Sequence, residues 1–382
     1  MTLRVGKLVY GIIKLLPCLL AVLLASSCSS DVNSDEQKGN KTLVTLTIAA
    51  SGNAATASRA VSGNSSTITR ASASVSDPTN KDYYISDLTV LIFDESGDVI
   101  GSTTQQAPFS SSGGNITIQV LTRAAKNCTV YAIANALALN DGATPPFAGV
   151  ATLSALKSKV KTYKDADDIN KESCLLMMGK TDDKSFDTTN SGSAAAISLQ
   201  RLASRIDFNF TVNNDKTTDK TTGFPIVVDS YQLCNVPIST LYQQSDFTNP
   251  SMPLGSTSTS KYQRQGSITS SAAGKHETYT CYVYTNTDKD NKTYLLINAH
   301  SAVTGSDGTT YKVWNSVFHV NMPDVVKPNM HYTVNITING GATPGTAQGD
   351  CGAVTTYEAY PYFSGSILNP WGTNENRDLD LQ

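Results

Sequence analysis

The chain has 382 residues, a formal net charge of -3, 40% hydrophobic residues and 16% charged ones. Near-neutral charge with no basic run gives nucleic acid no electrostatic footprint, and a length of roughly two times 100–200 residues suits two domains. Low charge with abundant Thr, Ser, Tyr, Val and Gly points to β structure facing solvent outside the cytoplasm.

The N-terminus predicts a targeting segment. Arg4, Lys7 and Lys14 precede an apolar run over 15–25 that ends in Leu24-Ala25-Ser26-Ser27-Cys28. A positive start, a short apolar stretch and small residues before a cut describe a secretory signal. The run is shorter than the roughly 20 residues of a membrane span, and Lys14 and Pro17 bound or interrupt it. Its close on Cys resembles a bacterial lipobox. That resemblance implies a signal peptide over 1–27, cleavage before Cys28 and acylation of its thiol. Ala25 stands where the usual Leu falls, and an ordinary signal peptide with an incidental Cys is the alternative.

Residues 29–41 are polar, a solvated tether. Over 42–49, Val44, Leu46 and Ile48 alternate with Thr45 and Thr47, the period-2 signature of a half-buried strand. About thirty Ser, Ala, Thr, Gly and Asn residues follow, too small and polar to pack. Arg59 and Arg70, each followed by Ala, lie in this stretch. The strand thus reads as loosely leashed to the body.

The body opens at Tyr84. Leu88-Thr89-Val90-Leu91-Ile92-Phe93 is apolar on both faces and predicts a central strand. Asp94-Glu95-Ser96-Gly97 is a turn, and Asp82, Asp94 and Asp98 read as turn residues at strand ends. Ile116, Ile118 and Val120 mark another strand, and 129–135 a further buried one. Leu153, Leu156, Val160 and Tyr163 recur at helical spacing behind a capping Thr152, predicting one short helix. The short apolar run 174–178 follows, and its Met177-Met178 pair reads as core filling. In 197–212, Ile206, Phe208, Phe210 and Val212 alternate strictly. The polar run 213–220 reads as a linker.

Further strands are expected over 226–233, 279–284, 294–298, 312–320 and 332–338. Between them, 239–274 is a long connection without clear periodicity. The chain closes on an aromatic-rich extended tail. Short strands, Gly/Asn turns and a single helix predict a mainly β protein of two β-sandwich domains, over 71–215 and 216–341, with a tail over 342–382.

Of the cysteines outside the signal and anchor, Cys128, Cys174, Cys234 and Cys281 sit in apolar strand-like surroundings and read as small hydrophobes. With Cys351 they make an odd set, so a free thiol or an inter-chain bond is expected. No spacing suits zinc, and no cofactor is implied. His276, His300, His319 and His331 show no ligand or catalytic spacing, and no nucleophile elbow or phosphate loop occurs. A structural protein is expected over an enzyme.

Several stretches together resemble the fimbrillin family, the subunits of type V pili of Bacteroidales. They are 85–94 with Gly97, Val130-Tyr131-Ala132-Ile133-Ala134-Asn135, Leu199-Gln200-Arg201-Leu202-Ala203-Ser204-Arg205-Ile206, Leu233-Cys234-Asn235-Val236-Pro237 and 329–338. The resemblance implies two transthyretin-like β-sandwich domains in tandem, with the short helix in the first. It also implies export as an outer-membrane lipoprotein precursor anchored through Cys28, with residues 28–70 a propeptide. An arginine-specific protease would cut after Arg70, or after Arg59, and remove 42–49. The C-terminal strand of another subunit would then fill the vacated groove, and a cell-surface fimbrium would grow by donor-strand exchange.

An unpaired sheet edge is a template for strand addition, and head-to-tail addition between identical chains gives open filaments. In that account Val44, Leu46 and Ile48 are a removable plug. The donor is sought in the tail, where Phe363, Ile367 and Leu368 alternate partly and Trp371 follows Pro370; 377–381 is a second alternating piece. The tail folding back on its own domain is the alternative. So are a minor tip or anchor subunit, and a monomeric surface lipoprotein binding a glycan or host ligand.

Overall fold

The computed structural model describes residues 41–50, 76–112, 115–187, 195–213, 226–253, 261–269, 275–304, 310–339, 354–359, 362–369 and 372–381. The expected processing sites Arg59 and Arg70, the expected lipidation residue Cys28, Cys351, Trp371 and the expected linker beyond 213 lie outside them.

The first half is built from β1 (Lys41–Ala50), β2 (Asp87–Phe93), β3 (Val99–Gln106), β4 (Ser111–Ser112), β5 (Asn115–Arg123), β6 (Ala125–Ala134), α1 (Leu153–Lys157), β7 (Val160–Thr162), α2 (Asp168–Lys171), β8 (Met177–Phe186) and β9 (Ala195–Arg201). Eight strands form one sheet in the order β1-β9-β8-β6-β2-β3-β5-β4, and β1 also pairs with β5. The sheet therefore closes on itself through β1. Its interior holds Val44, Leu46, Ile48, Leu88, Val90, Ile92, Ile116, Ile118, Val120 and Ile197.

Strands can approach closely enough to close a sheet only where no side chain intervenes, and glycines stand at two such contacts. A Cβ on Gly101 of β3 would lie 2.6 Å from the Thr122 Cβ of β5, and one on Gly179 of β8 would lie 2.3 Å from the Ser198 carbonyl oxygen of β9. The second contact is with backbone and cannot be relieved by a rotamer. Gly179→Ala is expected to cost about 1–3 kcal/mol, read as a lower denaturant midpoint at unchanged m-value.

β2 is a doubly buried central strand, as its sequence predicts. Leu88, Val90 and Ile92 face the closed interior, whereas Leu91 and Phe93 face a second cluster with Tyr131, Ile133, Leu156, Tyr163, Ile169 and Leu175. The excursion between β6 and β8 forms the cover of that cluster. Thr152 caps α1, its Oγ1 accepting from the Ala155 N–H at 3.2 Å. The helix stops at Lys157, so Val160 and Tyr163 are not helical. Val160–Thr162 is instead a strand, and α2 is a second single turn beyond the one helix expected.

The second half contains β10 (Ala203–Asn213), β11 (Ile226–Cys234), β12 (Ser239–Leu241), β13 (Lys261–Thr269), β14 (Lys275–Tyr284), β15 (Tyr294–Thr304), β16 (Thr310–Asn321), β17 (His331–Asn339), β18 (Val354–Ala359), β19 (Tyr362–Asn369) and β20 (Gly372–Leu381). One sheet runs β14-β10-β17-β20-β19 and another β13-β11-β15-β16-β18. Between them pack Ile206, Phe208, Phe210, Tyr231, Leu233, Tyr279, Leu295, Ile297, Phe318, Val320, Val334 and Ile336.

Two expectations change here. The sequence places 203–213 in the first domain and the boundary between 215 and 216. In the structure β10 pairs with β14 and β17, and its alternating aromatics join the second core, so the crossing falls at Leu202. Alternation marks a strand but not the sheet it joins. The long connection 239–274 also holds two strands, β12 against β7 and β13 against β11.

Candidate functional site: the slot of the first strand

The fold gives β1 an unusual position for a strand so near the N-terminus. It lies inside the sheet, antiparallel to β5 from Lys41 opposite Arg123 to Ala49 opposite Asn115. On its other side it runs parallel to β9, from Leu46 beside Ala195 to Ala50 beside Leu199. The register sets Val44 against Val120, Leu46 against Ile118 and Ile48 against Ile116. All six are at most 2% exposed. Thr42 Oγ1 donates to the Asp187 carbonyl at 3.0 Å, tying the strand's start to the end of β8.

The outward face differs. Leu43 is 45% exposed and lies opposite Leu121, which is 54% exposed. The alternation read from the sequence therefore holds side chain by side chain.

Burial of Val44, Leu46 and Ile48 contributes roughly 1.5–3 kcal/mol each, so about 5–9 kcal/mol together. That is comparable with the whole stability of an ordinary domain, about 5–15 kcal/mol. A first half without β1 would expose an apolar slot bordered by unpaired backbone from β5 and β9, a site for an extended chain.

The candidate donor residues sit elsewhere. Phe363, Ile367 and Leu368 belong to β19, which pairs antiparallel with β20. β20 in turn runs parallel to β17 of the same chain, Leu379 beside Ile336, and β18 runs parallel to β16. The tail thus adds strands to both sheets of its own half.

The recognised sequence stretches converge on turns with a shared device. Asn135, Asn235 and Asn329 each take positive φ, at 67°, 54° and 58°, a conformation that Asn tolerates better than most residues. Each side chain then bonds across the chain. Asn135 accepts from the Ser86 N–H at 2.8 Å and donates to the Tyr84 and Leu175 carbonyls at 2.9 and 2.7 Å. Asn235 donates to the Lys292 carbonyl at 3.0 Å. Asn329 accepts from the Arg201 N–H at 3.1 Å, where the chain crosses between halves.

Beside that crossing, Asp207 accepts from Thr280 Oγ1 at 2.6 Å and Arg205 Nε at 3.1 Å, and lies 2.6 Å from His331 Nε2. Burial alone would raise its carboxyl. The hydrogen bonds from His331, Thr280 and Arg205 outweigh it and hold the pKa down to about 2. Because the folded pKa is depressed, its stabilisation is complete above the unfolded value near 3.9 and is lost as pH falls toward about 2. The contribution is about 2 kcal/mol. Asp207→Asn is therefore expected to flatten the stability-against-pH curve between about pH 4 and 2, followed by urea melts.

Among the described residues no group of three His, Cys, Asp or Glu could hold a metal ion, and no helix is long and apolar enough to cross a membrane. His300 lies 2.8 Å from Asp229, and His319 stacks on Tyr294. Cys128, Cys174, Cys234 and Cys281 are all buried. Burial pushes Cys128 up to about 11 and Cys174 to about 12, away from the reactive thiolate.

Residues 44–227 match the family model described as Major fimbrial subunit protein (FimA), a match that starts inside β1. The resemblance to the fimbrillin family is thus carried by residues 44–227. No curated protein matches the sequence.

Among solved structures, a proposed cell adhesion protein from Bacteroides eggerthii is 18% identical, with a TM-score of 0.52 over 80% of this chain and 89% of that one. A second proposed cell adhesion protein, from Parabacteroides distasonis, is 16% identical, with a TM-score of 0.52 over 80% of this chain and 92% of the other. At these identities the likeness is one of fold. A fimbrilin from Porphyromonas gingivalis is 14% identical, with a TM-score of 0.43 over 89% of this chain and 97% of that one. The match supports a pilus or adhesion protein of the cell-surface fimbrium that assembles with other pilus subunits, as the matched family is structural.

Proposed function

We propose that the chain is a polymerising fimbrial subunit built as two transthyretin-like sandwiches in tandem. It is exported as an outer-membrane lipoprotein acylated at Cys28, trimmed after Arg70 or Arg59, and extended by donor-strand exchange. The observation that supports this reading is the place of β1. Its removal leaves a slot lined by Ile116, Ile118, Val120 and Ile197, which only another alternating strand can fill. Such an exchange is heterologous and gives an open fibre.

A second reading within the family, a tip or anchor subunit, is favoured by a different observation. β20 and β18 pair with their own sheets, as suits a subunit that keeps its tail. The two are separated by trimming purified precursor with an arginine-specific protease. A shaft subunit is expected to lose the segment up to Arg59 or Arg70 and give high-molecular-weight fibres. Trimmed protein that stays monomeric at high concentration would favour the tip, anchor or monomeric ligand-binding reading.

A further inference from the structure

The residues just before β2 have work that the slot does not explain. Asp82 is nearly buried at 8% exposure, and the partners of its carboxylate come from the second half. Its carboxylate accepts from Arg205 NH1 of β10 at 3.0 Å and from the Tyr282 hydroxyl of β14 at 2.6 Å. Its carbonyl accepts from Arg201 Nε at 2.6 Å. The Arg201 guanidinium lies over the Tyr83 ring, 4.8 Å from its centroid. Lys81 lies over the Tyr282 ring at the same distance and donates to the Ile169 carbonyl.

Tyr282 is held from a third direction. Asn170 of α2 accepts from its N–H at 2.7 Å and donates to its carbonyl at 3.3 Å, imitating a strand partner. β7 and β12 then join the halves by ordinary strand pairing, Thr162 beside Ser239. Tyr163 stacks on Tyr284 across the same junction. Arg205 extends the chain of charges to Asp207 and His331. Segment 81–84, α2 and β7 thus all grip the second half around Tyr282.

We propose that 81–84 is a clasp that couples the two halves into one cooperative and mechanically continuous unit. It stands at the start of the body, after the stretch holding Arg59 and Arg70, so removal of β1 leaves the clasp in place. Tension entering at the slot in the first half would pass through Asp82 and Tyr282 to the tail of the second. Charge-assisted hydrogen bonds with little exposure suit that role, since the Asp82 carboxylate would lose both Arg205 and Tyr282 if the halves parted.

The coupling can be tested on the uncut full chain, so its failure is distinct from failure of the strand-exchange reading. Scanning calorimetry of the wild type is expected to show one merged endotherm for both halves. Asp82→Ala combined with Tyr282→Phe should split it into two, each half keeping its own heat-induced loss of near-UV circular dichroism. The milder Asp82→Asn, which keeps the side chain's shape, guards against a folding failure and should separate the transitions partially. Asp288→Ala, confined to a loop of the second half, should lower stability without splitting the endotherm. Two endotherms already present in the wild type, or a single unsplit endotherm in both Asp82 variants, would overturn the clasp.

Discussion

Leu46→Asp is expected to abolish folding of the first half. Leu46 is fully buried between Ile118 and the closed interior, so the substitution loses about 1.5–3 kcal/mol of apolar burial. It also asks a carboxylate to leave water without a partner, which costs several kcal/mol more. The sum approaches the whole stability of a domain, about 5–15 kcal/mol. Leu43→Asp, three residues earlier on the exposed face, is expected to be tolerated within about 0.5 kcal/mol. Circular dichroism and soluble yield compare the two. Equal tolerance of both would mean that β1 does not complete the sheet.

Deletion of residues 362–382 carries the second large effect. It removes β19 and β20, leaving β17 paired with β10 on one side only. The second core is made by β10, β11 and β14 to β17, so the half is expected to remain folded with a modest loss of melting temperature. On the strand-exchange proposal, a trimmed subunit without this tail would accept a strand but could not give one. Mixed with intact trimmed protein it should therefore terminate fibres, and mean length by electron microscopy should fall with its mole fraction. Fibres of unchanged length would place the donor outside 362–382. Collapse of the second half would make the tail an obligatory part of its own fold.

Much of this fold is legible wherever apolar residues alternate. Val44, Leu46 and Ile48, the Ile116 to Val120 run and the Ile206 to Phe210 run each declare a strand and its inward face. Thr152 declares a helix start. β8 is less readable because beyond Met178 it runs Gly-Lys-Thr-Asp-Asp-Lys-Ser, polar residues held as a strand by pairing with β6. β13 is similar, a Gln-rich strand along β11. Val160 and Tyr163 fit a helical period but follow the β7–β12 pairing, a tertiary contact that no local pattern encodes.

The candidate site divides in the same way. The slot strand and its inward side chains follow from periodicity alone. That β1 lies between β5 and β9 does not, because long-range parallel pairing leaves no mark in 41–50 itself. Asp82 reads as a turn residue in the sequence, yet its partners Arg205 and Tyr282 are more than a hundred residues away. A buried charged junction is invisible until the topology brings its members together.

The fate of the 41–50 strand after trimming tests the account most directly. Precursor cut by an arginine-specific protease is passed over a sizing column, and the N-terminal fragment is followed by mass spectrometry. The account predicts that the fragment elutes apart from the protein as fibres form, and that an excess of synthetic peptide spanning 41–50 slows their growth. A fragment that remains bound to a monomer, with the peptide without effect, would contradict it: β1 would then be a permanent strand of the fold.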